Sequence, residues 1–471
     1  MSSVRGMWRR WMGNSAVNVF GGMAMAAVNI LLPAMIARHT SGIEFSIWNI
    51  ALQIIVYVNI LSLGLQTATA RSIAHAAEAP DKNNDELASI AVASKSIAHW
   101  AATLAIVLIG AMLIFYPLLF PGIPVHLIVD FRWILVFFGA AAALQILAQP
   151  YMGIFQGLHR NIVFVSVQVC ARVLAIGLVW WGVLAHQSLT VLALLFSGAI
   201  ATVFPLMRMI SSVLLSWASG IRDVGLDLGR RKDLLNYCVT LSVWSLSMLF
   251  VNSTGIVVVG HLNLTMVGPY SIAMSAANVV VGFLSAVLAP LLTTGAALFA
   301  QHKTRSGIPR LLWRSTLGVA VMMNLLVVVV LVLDTTIIRY WVGPSFVATA
   351  GPLLAVLVAA HCLRNIASPY AMMLVATGLH RRGLLSSVFE SAANVAGSVI
   401  FGIYYGALGV AVGTLVGSLV GVAGAFIFNV RATPEITPQP VRYVGWTVVL
   451  PLLAFLPLEL YLFSRILTPL R

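Results

Sequence analysis

Charged side chains are scarce in this sequence: Asp, Glu, Lys and Arg make up only 8% of its 471 residues. Soluble domains carry about 25% of these residues. Hydrophobic residues make up 60% of the chain, and the mean hydropathy is +0.99. No polar stretch is long enough to form a soluble catalytic domain. The composition therefore excludes a soluble enzyme and indicates a polytopic membrane protein.

Cysteine is equally rare, and the common catalytic motifs are absent. Cys170, Cys238 and Cys362 lie in apolar stretches and form no CxxC pair, which argues against a disulfide framework and a cysteine metal site. GxxxxGK[ST], HExxH and GxSxG do not occur. We therefore expect no cofactor, no metal site and no enzymatic activity. Any transport must run downhill, on an ion gradient or on the membrane potential.

Apolar segments follow one another along the whole chain. Crossing a hydrocarbon core of about 30 Å takes about 20 residues per helix. The segments that meet this length are 15–37, 45–70, 96–119, 131–155, 162–184, 187–207, 236–261, 268–298, 312–333, 346–376, 383–404, 408–430 and 443–464. The last contains two prolines and Glu459, so we expect twelve or thirteen transmembrane helices. The first is too long for a cleaved signal peptide.

Lys and Arg are distributed unevenly over the loops. With a cytoplasmic N-terminus, the cytoplasmic segments carry 20 of the 27 basic residues and the opposite side carries 5. Arg172 and Arg364 lie inside spans. Basic residues accumulate on the cytoplasmic side of membrane proteins. The asymmetry predicts a cytoplasmic N-terminus and explains the net charge of +14 without a nucleic-acid partner. Membrane lipids are the expected contacts of these charges.

A short motif recurs in the two halves of the chain. Gly-Leu-His-Arg occurs at 157–160 after the fourth span and at 378–381 after the tenth. A Pro-Tyr pair precedes each copy, at 150–151 and 369–370, with a two-residue difference in spacing. Six spans separate the copies, so both halves keep the same orientation. This predicts a parallel repeat, as in several transporter folds.

The repeat and the spans together predict an all-α polytopic membrane protein with two like-oriented six-helix lobes around a central cleft. The predicted parts are an N-terminal lobe (1–207), a cytoplasmic linker (208–235), a C-terminal lobe (236–430) and an extra C-terminal hydrophobic segment (431–471). The twelfth span places glycine at 409, 413, 417 and 421. Glycine at every fourth position favours close helix packing.

The sequence also resembles a known family. The stretches that carry the resemblance are 37–42, 63–68, 71–74, 259–262, 267–272 and 288–290. They resemble the polysaccharide-unit (O-antigen, Wzx-type) flippases of the multidrug/oligosaccharidyl-lipid/polysaccharide (MOP) exporter superfamily. The resemblance implies a MATE-like fold in the bacterial inner membrane and export of an undecaprenyl-pyrophosphate-linked oligosaccharide to the outer leaflet. A polysaccharide polymerase is a further implied partner. Many relatives have a carboxylate early in the seventh span, where this chain has Asn252.

Two arginines inside spans are the candidate substrate contacts. Arg172 lies about 16 Å along its helix from Asn161, near the middle of the bilayer. Burying an arginine there costs at least about 2.5–3.5 kcal/mol, which argues for a role. Gln168 lies one turn before Arg172, and His361 lies one turn before Arg364. Arginine binds phosphate through paired, charge-assisted hydrogen bonds, so these four residues are candidates for binding the pyrophosphate.

Glu390 and Asn394 form an i, i+4 polar pair in the eleventh span. Two interpretations remain open. Glu390 is the best candidate for ion coupling, or it forms a structural ion pair with Arg364. Apart from Glu459 it is the only acidic residue that the predicted spans contain.

Three other functions compete with the flippase. A MATE-like drug or cation antiporter would need intramembrane carboxylates, of which there are few. A peptidoglycan lipid-precursor flippase is expected to have fourteen spans and arginines in the first ones. A membrane glycan polymerase or ligase would need a large outer-face loop.

Overall fold

The structure, a computed structural model, describes residues 27–28, 30–62, 64–78, 84–215, 227–300 and 307–467. Across these residues the chain is almost entirely helical and has no β-strand, which confirms the predicted all-α fold. The predicted cytoplasmic N-terminus, the first half of the first span and the middle of the 208–235 linker lie outside the described residues.

Ten helical segments of the described part are long and apolar enough to cross a membrane. They make the chain a multi-pass membrane protein. One of them, Leu384–Asn429, contains a reversal and covers two predicted spans. Two shorter apolar helices, Ile30–His39 and Leu246–Leu262, coincide with parts of the first and seventh predicted spans. Together these account for all thirteen predicted positions.

The first compact unit is Met1–Leu246. Its described helices are α1 (Ile30–His39), α2 (Gly42–Asn59), α3 (Leu65–Glu78), α4 (Asn84–Leu119), α5 (Ile128–Gly157), α6 (Asn161–Leu184), α7 (Leu189–Ala201), α8 (Val203–Leu214) and the first part of α9 (Leu228–Leu262). Trp48 of α2 is buried in the core, with its ring edge-on to Phe138 at 5.0 Å and to Phe196 at 5.8 Å. Phe138 of α5 and Phe196 of α7 also contact each other at 5.7 Å, so α5 packs against both α2 and α7.

The second compact unit is Ser247–Arg471, and it begins within α9. Its further helices are α10 (Val267–Ala300), α11 (Gly307–Trp341), α12 (Val347–Asn365), α13 (Ser368–Ala376), α14 (Leu384–Gly424), α15 (Pro440–Val444) and α16 (Leu450–Leu467). This division falls after the predicted 208–235 linker, inside the seventh predicted span. The four predicted parts of the chain stay a prediction.

The helices extend beyond their apolar runs. Helix α4 has 36 residues and is about 54 Å long at about 1.5 Å per residue, which exceeds a hydrocarbon core of about 30 Å. Its first turns and α3 occupy most of the segment 71–95, which lies between the second and third predicted spans. Hydropathy detects only the apolar portion of these two helices.

Helix α14 is a tight hairpin. Gly406 has φ 60° and ψ −144°, a backbone conformation that favours glycine, and it divides the helix into arms 384–405 and 407–424. We call this element the Gly406 hairpin. An added Cβ at Gly409, Gly413, Gly417 or Gly421 would contact Phe401, Ser398, Asn394 or Glu390 of the other arm, respectively. The predicted packing role of the four glycines is confirmed.

The two copies of the repeat end their helices in the same way. His159 (φ 57°) and Gly378 (φ 74°) are left-handed residues that terminate α5 and α13. The next amide donates to the carbonyl five residues earlier in both cases, Arg160 to Phe155 and Leu379 to Leu374, each at 2.8 Å. This is a Schellman turn. Each turn lies nine residues after the proline of its Pro-Tyr pair. When the two turns are superposed, the Pro-Tyr pairs therefore coincide, and the Gly-Leu-His-Arg copies are offset by two residues.

Candidate substrate-binding residues and a buried ion pair

Arg172 of α6 is half-buried and is held by a glutamine of the same helix. Its Nη1 donates to Gln168 Oε1 at 3.2 Å, and Gln168 Nε2 donates to Met152 Sδ of α5 at 2.9 Å. None of the ion pairs in the described part of the chain involves Arg172. The arginine is therefore positioned by neutral groups, and none of these ion pairs compensates its charge.

Arg364 of α12 has a different environment, because it contacts two other helices of the second unit. Its Nε lies 2.9 Å from Glu390 Oε1 of the Gly406 hairpin. Its Nη1 donates to Asn252 Oδ1 of α9 at 2.8 Å, and its Nη2 donates to Met248 Sδ at 2.8 Å. The arginine and glutamate side chains are only 16% and 8% exposed. Both arginines donate to a side-chain amide, but only Arg364 is also neutralised by a carboxylate.

The Arg364–Glu390 contact is an ion pair rather than an aligned hydrogen bond, since the Nε–H does not point at Oε1. Removing one partner of such a buried pair leaves an uncompensated charge and typically costs about 3–5 kcal/mol. The structure contains the ion pair that the structural interpretation of Glu390 requires. The ion-coupling interpretation of Glu390 and the substrate-binding role of Arg364 stay predictions.

Asn394 and His361 are buried without hydrogen-bond partners for their side chains within the described residues. Asn394 is 0% exposed and packs against Gly417, while His361 is 1% exposed and lies on α12. Buried polar groups without partners are uncommon and costly. The structure therefore brings Gln168 to Arg172 and Glu390 to Arg364. It gives no polar contact from the side chains of His361 or Asn394 to these pairs.

Several contacts are not evident in the sequence. Asn252, Met248 and Met152 contact the candidate residues from neighbouring helices. The one indication for Asn252 in the sequence is its position, since many relatives have a carboxylate there in the seventh span. Asp334 is a further buried acid of α11, with a side chain that is 6% exposed. The predicted span 312–333 ends one residue before it.

Comparison with known proteins gives no matching family model and no matching curated sequence. Solved structures do match. A lipid II flippase MurJ in an inward-closed conformation has 12% identity and a TM-score of 0.68, over 97% of this chain and 98% of that one. An inward-facing MATE transporter of the MOP superfamily has 18% identity and a TM-score of 0.69, over 88% and 99%. The eukaryotic MATE transporter AtDTX14 has 12% identity and a TM-score of 0.63, over 94% and 100%.

This chain has the fold of the MOP superfamily transporters. These matches cover 88–97% of this chain and 98–100% of the three structures. At these identities the likeness establishes the MOP fold. The substrate must be argued from the side chains.

Proposed function

We propose that this protein is a flippase, without catalytic activity, in the bacterial inner membrane. Its substrate is an undecaprenyl-pyrophosphate-linked oligosaccharide, carried from the cytoplasmic to the outer leaflet for surface polysaccharide assembly. The single observation that carries this proposal is the unneutralised Arg172 inside α6. The MOP fold supports it, because one structure that this chain matches is described as a lipid II flippase.

Arg172 suits a pyrophosphate for two reasons. A guanidinium presents several N–H donors in a planar fork that matches phosphate oxygens, and it stays charged in a low-dielectric environment. Gln168 fixes one edge of the guanidinium through Nη1, which lowers the entropic cost of binding. We assign Arg172 the primary contact with the anionic head group. Arg364 takes a secondary role, since Glu390 already compensates its charge.

The drug or cation antiporter is the main alternative. Its chemistry needs a carboxylate that can take up a proton, sodium ion or cationic drug. Glu390 is engaged by Arg364, and Arg172 repels cations from the corresponding part of the first unit. Asp334 and Glu459 are the remaining acids that an antiporter would use. The peptidoglycan-precursor flippase shares the pyrophosphate chemistry, so only the choice of glycan separates it from our proposal.

The test is a flipping assay in proteoliposomes with a fluorescent polyprenyl-pyrophosphate oligosaccharide. Arg172→Ala is expected to abolish flipping, and Arg172→Lys to restore it partly, since lysine is a point charge without the planar fork. Arg160→Ala is the matched control, because Arg160 is exposed at the start of the same helix. Its flipping rate is expected to equal that of the wild type.

Three results would contradict the proposal. Normal flipping by Arg172→Ala removes the arginine from the mechanism. Proton-coupled efflux of a cationic dye, unaffected by Arg172→Ala, would establish the antiporter. Flipping of lipid II alone, with other polyprenyl-linked glycans excluded, would establish the peptidoglycan-precursor flippase.

A further inference from the structure

A pocket lies at the end of α11 that is predicted to be cytoplasmic. Its volume is about 370 Å³, and all of its lining residues belong to the second unit. One wall is the first turns of α11, with Arg310, Trp313 and Arg314. The other is the segment that leads into α15, with Thr437, Gln439 and Tyr443. None of these residues belongs to the two clusters that contain Arg172 and Arg364.

The far wall of the pocket is held in place by buried hydrogen bonds. Tyr443 is 3% exposed, and its hydroxyl shares a 2.7 Å hydrogen bond with the Thr316 hydroxyl of α11. Thr437 is also 3% exposed, and it donates to the carbonyl of Val430 at 2.8 Å. The Trp313 ring packs edge-on to the Tyr443 ring at 6.2 Å. The pocket is therefore formed before any ligand binds, which reduces the cost of binding.

The charge of the pocket is positive and uncompensated by the described residues. Arg310 and Arg314 are exposed, lie one helical turn apart, and form none of the ion pairs in this part of the chain. The acid nearest in sequence to the far wall is Glu435. Its carboxylate lies 3.3 Å from Arg382 Nη1, and a backbone amide together with Arg382 lowers the pKa of Glu435 below its usual value. Glu435 therefore stays ionised and paired with Arg382.

We infer that this pocket binds the headgroup of an anionic phospholipid of the cytoplasmic leaflet. Two guanidiniums one turn apart on the same wall can both bind phosphate oxygens of one headgroup. Trp313, which is only partly buried, is a side chain that favours the headgroup level of a bilayer. Basic pockets between membrane helices on the cytoplasmic side are typical sites for anionic lipid headgroups. The competing explanation is that Arg310 and Arg314 serve only to set the topology of the helix.

The experiment measures lipid binding to the purified, delipidated protein by native mass spectrometry. Phosphatidylglycerol is the probe, and phosphatidylcholine and inorganic phosphate are the comparison ligands. Wild-type protein is expected to retain one phosphatidylglycerol at concentrations where phosphatidylcholine is lost. Arg310→Ala/Arg314→Ala is expected to weaken this binding about tenfold or more, since each basic residue near an anionic lipid contributes separately.

Two further variants distinguish a specific lipid-binding site from nonspecific attraction of the lipid by positive charge. Arg431→Ala/Arg442→Ala removes two exposed arginines of the same predicted side that do not line the pocket, and it is expected to bind as the wild type does. Gln439→Trp keeps both pocket arginines but fills the pocket, and it is expected to lose the lipid.

The inference is overturned if Gln439→Trp binds phosphatidylglycerol normally. It is also overturned if Arg431→Ala/Arg442→Ala weakens the binding as much as Arg310→Ala/Arg314→Ala does. Equal retention of phosphatidylcholine would also overturn it. Displacement of the lipid by inorganic phosphate at the same concentration would show that the ligand is free phosphate. None of these outcomes bears on the flipping assay.

Discussion

The guanidinium of Arg364 and the carboxylate of Glu390 lie 2.9 Å apart in the interior of the second unit, and they join α12 to the Gly406 hairpin. Asn252 completes the cluster from α9. Side chains of α9, α12 and the Gly406 hairpin thus form one polar cluster. Helices in a bilayer have little hydrophobic driving force to associate, so such polar contacts and close packing hold them together.

Breaking this ion pair is expected to destabilise the second unit more than removing both charges. Arg364→Ala leaves Glu390 buried and unpaired, and it should lower the free energy of unfolding by about 3–5 kcal/mol. Arg364→Ala/Glu390→Gln should recover a large part of that loss. Thermal unfolding in detergent measures both, and flipping assays on the double variant test the secondary role of Arg364. Equal stability of the single and double variants would contradict the structural ion pair.

The Gly406 hairpin gives a second prediction about packing. A Cβ at Gly417 would lie 2.7 Å from Asn394 Cβ and 2.8 Å from its Cα, so the backbones must separate. Gly417→Ala is expected to lower the unfolding temperature and the yield of folded protein. Gly318→Ala is the matched control, because a Cβ at this helical glycine of α11 meets nothing within 4 Å. Equal unfolding temperatures of Gly417→Ala and Gly318→Ala would contradict the close contact.

The membrane potential is the predicted driving force of export. A head group with two negative charges gains about 2.3 kcal/mol per charge per 100 mV when it moves outward across a negative-inside membrane. Glu390, the candidate for ion coupling, is occupied by Arg364. Collapsing the potential with valinomycin and potassium, at constant pH and sodium, should slow flipping sharply. Proton coupling through Glu390 would replace this model if flipping continued, stopped on dissipating the pH gradient, and failed in Glu390→Gln.

The orientation of the chain is predicted by its loop charges and can be tested by labelling. In a background without native cysteines, Lys232→Cys should not react with an impermeant reagent added to intact cells, whereas Thr265→Cys should react. Lys232 and Thr265 are both exposed in the described part of the structure. Reaction of Lys232→Cys would reject the cytoplasmic placement of the linker.

Hydropathy located the spans because burial in lipid requires long apolar runs, and the glycine periodicity located the close contact within the Gly406 hairpin. Such patterns do not predict which side chains contact Arg172 and Arg364. Asn252 and Met248 approach Arg364 from α9, and nothing local in the sequence records a contact between helices more than a hundred residues apart. Asp334 lies just outside a predicted span, since a charged residue lowers the hydropathy average and so ends the span 312–333 one residue before it.

The glycines of the two Gly-Leu-His-Arg copies are required for different structural reasons. Gly157 lies at the end of α5, where a Cβ would come within 2.5 Å of the Ala70 carbonyl oxygen, so any side chain is excluded by volume. Gly378 has open space around it but a left-handed backbone, so it is limited by chirality. Gly378 should therefore tolerate asparagine, which adopts this backbone region more readily than other residues, while Gly157 should not tolerate even alanine. Superposing the two turns pairs His159 with Gly378 and Pro150 with Pro369, so neither glycine of the shared tetrapeptide has the other as its structural equivalent.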